Sequence, residues 1–242
     1  MTAASIPGSK VHDLGLSECG AETHVKMFQE SVVKFNDSLI LSSSDGAEEI
    51  QVWEPKTMAP YEAILEKKFF PRENTLQANA GNFVWSCHAT KSIMNVWRWD
   101  SKEPVLRFPL RDHLTVFKTC NTDLCAGANS KGQLMLWSVL SGELIGEVDS
   151  AHYMEIKDID LNRDMIISGG KDCKVRVWLV TDLMYADKSK RLPYAEFSEH
   201  TSEVTCVKFS QNCANRAFSA STDKQFKVYD LSSKLCIKTI QT

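Results

Sequence analysis

The chain has 242 residues, 43% of them hydrophobic, with 28 basic against 31 acidic side chains and a net charge of −3. That is enough apolar material for one large buried core. The acidic balance speaks against a protein that holds nucleic acid by neutralising phosphates, which usually shows a basic excess or stripe. No apolar run approaches the roughly 18 residues of a membrane span. The first twenty residues include Glu18 and have no signal-type apolar core, so a cytosolic or nuclear place is expected.

In chain order, residues 1–29 are the least patterned and are expected to form an arm, with one weakly alternating strand at 23–28. Residues 30–242 repeat a unit of alternating strands. The first unit shows strands at 38–42 and 50–54, the latter carrying Trp53. The second shows 83–87 and 93–99, with Trp97 and a literal Trp-Asp pair at Trp99-Asp100; both tryptophans face one side of the strand, and the pattern alone does not choose between them. The third fits four strands at 114–119, 124–127, 133–138 (Trp137) and 143–148. The fourth fits 155–161, 165–168, 174–179 (Trp178) and 194–198, with an insertion at 181–193 read as a tolerated surface loop. The fifth fits 203–209, 216–219, 225–230 (Tyr229) and 235–240.

The aromatics at Trp53, Trp97, Trp137, Trp178 and Tyr229 lie 44, 40, 41 and 51 residues apart. A period near forty with an aromatic-ended third strand predicts an all-β fold, a β-propeller of the WD-repeat kind with five four-stranded blades. The eight cysteines form no Cys-x-x-Cys pair and no zinc spacing, so free thiols and no metal site are expected; Cys206 and Cys236 fall in alternating apolar stretches, where a thiol acts as a small hydrophobe.

Two repeats carry a matching polar set. In the fourth it is His152, Ser168, Asp172 and Trp178; in the fifth it is His200, Ser219, Asp223 and Tyr229. The serine stands ten residues and the aspartate six residues before the aromatic in both. These sets resemble the WD-repeat family, whose repeats are tied by such side chains. The chemistry fits: an indole N–H only donates, so a buried Trp needs an acceptor, which a hydroxyl supplies. That hydroxyl donates to imidazole, and imidazole donates to the carboxylate. A hydrolase triad is the competing reading. Against it, the set occurs twice at one place in the repeat, neither serine lies in Gly-x-Ser-x-Gly, and each set ends in an aromatic that needs the hydroxyl. No phosphate loop, His-Glu-x-x-His or Gly-x-Gly-x-x-Gly occurs, so no catalytic, cofactor or metal residues are expected. The other units are incomplete. Gly127 and Lys131 stand where the third would have Ser and Asp, Lys91 stands at the Asp place of the second, and Asp45 of the first is eight residues before Trp53.

The run from Ile167 through Asp172, Val177 and Trp178, followed by an insertion with Ala186, Asp187 and Pro193 and then His200, is similar to one WD-repeat family. That family is the WD-repeat subunit of the nuclear complex that accompanies the maturing large ribosomal subunit. The resemblance is good over 160–242 and weaker over 30–159. It implies a non-catalytic scaffold in precursor rRNA processing, partnered by helical-repeat scaffold subunits and, indirectly, by the precursor large subunit. It implies a nuclear place, nucleolar and nucleoplasmic, with the cytoplasm also open, and no membrane. A WD-repeat adaptor in a ubiquitin ligase, in chromatin assembly or in replication licensing is the alternative. Members of the family have about seven blades, so the five visible here are expected to be part of an incomplete seven-bladed ring, and a five-bladed closure or a partner are the other readings. The basic loop of the insertion, Lys188, Lys190 and Arg191, is the candidate partner contact.

Overall fold

The computed structural model describes residues 29–36, 39–44, 51–54, 59–61, 73–78, 83–88, 92–98, 104–120 and 124–241. The expected arm and its strand at 23–28, together with Asp45, Lys91, Trp99 and Asp100, lie outside them. Among the described residues, twenty strands form five antiparallel sheets of four consecutive strands each. Sheet one holds β1 (Gln29–Asn36), β2 (Leu39–Ser44), β3 (Gln51–Glu54) and β4 (Ala59–Tyr61). Sheet two holds β5 (Glu73–Ala78), β6 (Phe83–His88), β7 (Ile93–Arg98) and β8 (Pro104–Pro109). Sheet three holds β9 (Leu114–Thr119), β10 (Leu124–Asn129), β11 (Leu134–Ser138) and β12 (Leu144–Val148). Sheet four holds β13 (Ile156–Leu161), β14 (Met165–Gly170), β15 (Val175–Leu179) and β16 (Ala195–Phe197). Sheet five holds β17 (Val204–Phe209), β18 (Arg216–Ser221), β19 (Gln225–Asp230) and β20 (Leu235–Gln241). The first strands of the sheets, β1, β5, β9, β13 and β17, neighbour one another in that order, so the sheets stand as blades side by side. Strands β1, β4, β5 and β8 are additional to the strands that the sequence pattern predicts.

The core is a series of seams between blades. Blades three and four share Leu134, Leu136, Ile156, Ile159, Ile166 and Trp178. Blades two and three bury Trp85, Met94, Phe117 and Trp137 together, and blades four and five bury Ile167, Val175, Val177, Val204, Val207 and Tyr229. A middle blade is therefore apolar on both faces, which explains why β14 and β15 read as near-continuous runs rather than strict alternations. Pairing fixes which residues share a face. Ile166 stands opposite Trp178 and faces blade three, while Ile167 opposite Val177 faces blade four's other neighbour. On blade five the corresponding outward positions are Phe218 and Phe226, whose rings stack at 5.7 Å and are half-buried. Cys206 shares that face and is exposed rather than packed in a core, whereas Cys236 packs against the seam with blade four.

The blades are also joined by carboxylates. Asp158 and Asp160 on β13 accept from the backbone N–H groups of Val207 (3.0 Å) and Phe209 (2.9 Å) on β17. The hairpins between second and third strands of the last three blades share one turn, whose left-handed position is filled by Gly132 (φ 79°), Cys173 (φ 64°) and Lys224 (φ 62°). At Gly132 the choice is forced: a Cβ there would stand 2.1 Å from the backbone oxygen of His152.

Two local departures from the sequence reading stand out. The outer strand of blade four is shorter than 194–198: it runs over Ala195–Phe197, and the Tyr194 N–H bonds across to the Val177 carbonyl (2.7 Å) just before it. The insertion is no open loop. Val180–Tyr185 forms a helix, α1, followed by a 3-10 turn at Lys188–Lys190. Val180 and Leu183 are buried in the seam between blades three and four, and Gly146 on β12 lets the helix approach, since a Cβ there would meet the Leu183 backbone at 2.8 Å.

Candidate functional site

The polar sets of blades four and five sit where a connector crosses from one blade to the next. His152 lies between β12 and β13, with its N–H bonded to the carbonyl of Gly132 in blade three (2.9 Å). Its ring is buried; burial is the largest influence and lowers its pKa, against the opposing pull of Asp172, so the ring is neutral. Nδ1–H then donates to Asp172 Oδ1 (2.8 Å), and Nε2 accepts from the Ser168 hydroxyl (2.8 Å). Ser168 in turn accepts from Trp178 Nε1 (3.0 Å). The chain of donors runs from indole to hydroxyl to imidazole to carboxylate, with each proton assigned.

Asp172 does more than orient the histidine. Burial opposes its charge, but the bonds from His152 and Arg176 outweigh that and hold its carboxyl well below the ordinary range. Arg176, itself buried, donates from one terminal nitrogen to Asp172 Oδ2 (2.8 Å) and to the carbonyl of Ala151 (3.0 Å), and from Nε to Glu196 (2.7 Å). Tyr153 and Lys174 add backbone donors to the same carboxylate. Arg176 was not legible as part of the set: it stands on the same strand face as Ser168, opposite it in the β14–β15 ladder, and only the pairing reveals this.

In blade five, His200 meets Asp223 Oδ2 (2.8 Å) and Ser219 Oγ (2.7 Å), and Ser219 bonds Tyr229 Oη (2.9 Å). Burial raises the pKa of the Tyr229 phenol, keeping it protonated. Lys227 holds the register place of Arg176 but bonds Thr239 instead of the aspartate. Ser168 and Ser219 are buried, each bonded to an aromatic and a histidine, so both hydroxyls are engaged within the chain.

The model of the WD domain, G-beta repeat, matches residues 143–178 and 191–230, the segments that carry both sets. Those two segments are WD repeats. This WD-repeat chain is 29% identical over 167 residues to the Pre-rRNA-processing protein IPI3 of Yarrowia lipolytica, a match covering 66% of the chain and 38% of that protein. It is 35% identical over 96 residues to the Pre-rRNA-processing protein pro-1 of Caenorhabditis elegans, covering 38% of the chain and 18% of that protein. To WD repeat-containing protein 18 of Bos taurus it is 27% identical over 159 residues, covering 63% of the chain and 36% of that protein. The chain thus spans little more than a third of the length of the first of these relatives. Among solved structures, the computationally designed Ika8 protein superposes with a TM-score of 0.68 at 18% identity, covering 88% of this chain and 61% of that one, which speaks to the fold alone.

The remaining blades of the WD-repeat chain differ in their polar sets. In blade three the Trp137 ring and Leu114 fill the space beside Gly127, where a Cβ would meet them at 2.9 and 2.8 Å. His113 turns its Nδ1 to the carbonyl of Leu114 (2.7 Å), Lys131 pairs with Asp112, and Asn129 organises the turn by accepting from the N–H groups of Lys131 and Gln133. In blades one and two, counting back from the aromatic misses a serine. Pairing places Ser42 opposite Gln51 and Ser86 opposite Asn95, the register place that Ser168 holds opposite Arg176, because these hairpins are one residue longer. The side chains of Trp53 and Trp97 lie outside the described residues.

The basic loop of the insertion is engaged within the chain. Lys188 donates to Glu147 Oε2 on β12 (2.9 Å), Arg191 donates to the Glu147 carbonyl (2.7 Å) and to that of Ala186 (3.1 Å), and Lys190 pairs with Asp187.

Proposed function

We propose that this chain acts in ribosome biogenesis as a non-catalytic scaffold that supports precursor rRNA processing and maturation of the large ribosomal subunit. The observation that carries the reading is the run of relatives named for pre-rRNA processing, in fungi and a nematode, beside the WD repeats of this chain. The fold suits a scaffold: side-by-side blades held by buried polar sets present rigid loops and outer strands to several proteins at once. The His-Ser-Asp sets stabilise blade packing and perform no chemistry. Its partners are protein subunits of a nuclear assembly complex, helical-repeat scaffolds among them, and contact with precursor ribosomes is mostly through those subunits. The place of action is the nucleus. The 30–242 segment works as one propeller unit. Affinity purification of the tagged chain tests the reading: large-subunit assembly factors and spacer-containing rRNA are expected, and recovery of a cullin or a chromatin-modifying complex in their place refutes it.

A further inference from the structure

Two hollows adjoin on the outer edge of blade three and share Arg111 and Leu144 as a common wall. One, of about 260 Å³, lies at the seam with blade two and is walled mainly by Phe108, Pro109, Met135, Trp137 and Leu144. The other, of about 160 Å³, lies between β12 and the blade-four insertion. Three cations line this second hollow, Arg111, Lys188 and Arg191, against one carboxylate, Glu147. Glu147 is 7% exposed, while Arg111 and Lys188 are 70% and 62% exposed. Each of those two cations gives one donor to Glu147 Oε2 at 2.9 Å, and a guanidinium has four more and an ammonium two more. The Lys188 bond comes first among the influences that keep Glu147 ionised. Arg191 bonds two carbonyls, and among the described residues no carboxylate pairs with it. The result is an excess of two positive charges fixed at one end of a groove whose other end is apolar.

We propose that this groove is a docking site for a linear segment of a partner protein that sets an apolar side chain next to an acidic one. The apolar side chain enters the hollow over Trp137, and the carboxylate accepts the spare donors of Arg111 and Lys188. A nucleic acid fits less well. Its phosphates repeat along a strand and call for a track of cations, whereas these three converge on a single point of a chain with net charge −3. The inference rests on this geometry and is independent of the ribosome-assembly reading.

The probe is a fluorescein-labelled hexapeptide, Leu-Glu-Glu-Leu-Glu-Glu, titrated with the full chain by fluorescence polarisation. Saturable binding is expected, weakened steeply by added NaCl and absent for the Leu-Lys-Lys-Leu-Lys-Lys counterpart. Arg111→Gln and Lys188→Gln are each expected to lower the affinity by about tenfold, the effect of one charge-assisted hydrogen bond. Both variants keep one cation on Glu147, and their melting temperatures separate lost binding from lost folding. The salt titration on the unaltered chain needs no substitution. Absence of binding, affinity indifferent to salt, unchanged affinity in both variants, or displacement of the peptide by an oligouridylate would each overturn the proposal.

Discussion

Truncating Asp172 to alanine isolates what the blade-four network contributes. The carboxylate accepts from His152 Nδ1 (2.8 Å), Arg176 (2.8 Å), Lys174 N (3.3 Å) and Tyr153 N (3.4 Å). Without it, the Nδ1–H of a buried imidazole has no acceptor, at a cost of about 1–3 kcal/mol. The buried Arg176 also loses one of two carboxylates but keeps Glu196 and the Ala151 carbonyl, so its loss falls short of the roughly 3–5 kcal/mol of a fully broken buried pair. Together these give about 3 kcal/mol. With a urea slope of about 2–3 kcal/mol per molar, the midpoint drops by about 1 M. Asp223→Ala is expected to cost less, about 1–2 kcal/mol, since the buried Lys227 bonds Thr239 rather than Asp223 and loses no partner. Lys131→Ala breaks only an exposed pair with Asp112 and stays within about 0.5 kcal/mol. Urea titrations of the three variants, followed by tryptophan fluorescence, give the order directly. If Asp172→Ala costs no more than Asp223→Ala, the role given to Arg176 is wrong; if all three cost the same, the network has no special standing.

Acid is expected to weaken the fold in two stages. His152 is held neutral below its ordinary pKa, so the unfolded chain takes up a proton that the folded one refuses, and stability declines as pH falls below about 6.5. Asp172 and Asp223 have depressed values, and their contribution is lost as pH falls below about 4. Urea midpoints between pH 7.5 and 5 should therefore fall in the native chain and fall less in His152→Gln; a flat native profile contradicts the assignment. Tyr229→Phe removes one partner of a buried serine that keeps its histidine, for an expected loss of about 1 kcal/mol by thermal melting. Gly132→Ala drives a Cβ into the His152 carbonyl at a left-handed position and should cost at least about 2 kcal/mol; a neutral result would mean that the connector between blades three and four is loose.

The blade-four and blade-five networks were legible because the residues involved are types with narrow hydrogen-bonding roles, and because spacing along one hairpin is conserved by its turn. Arg176 escaped for the opposite reason. An arginine in an alternating strand usually faces solvent, and only the ladder partner of Ser168 shows that this one faces a seam. Ser42 and Ser86 escaped because a one-residue change in hairpin length shifts the count from the aromatic but not the register across the strands. The insertion reads as surface because its polar residues dominate. Two apolar positions, Val180 and Leu183, spaced three apart with Gly146 waiting on the neighbouring blade, decide its docking, and the glycine is remote in sequence. The outer strands of the first two blades are short, as in β4, or bounded by prolines at both ends, as in β8, and prolines weaken a strand reading.

The two carboxylates of β13 place unusual reporters on β17. The amides of Val207 and Phe209 point away from their own blade and are shielded by Asp158 and Asp160 of the preceding one. Their hydrogen exchange therefore tracks the parting of two blades, while the amides that β17 turns toward β18 track the melting of one. A slow, shared exchange rate for both kinds would mean that the seam and the sheet give way in the same event, and a faster rate at Val207 and Phe209 would mean that the array can hinge open there while each blade stays folded.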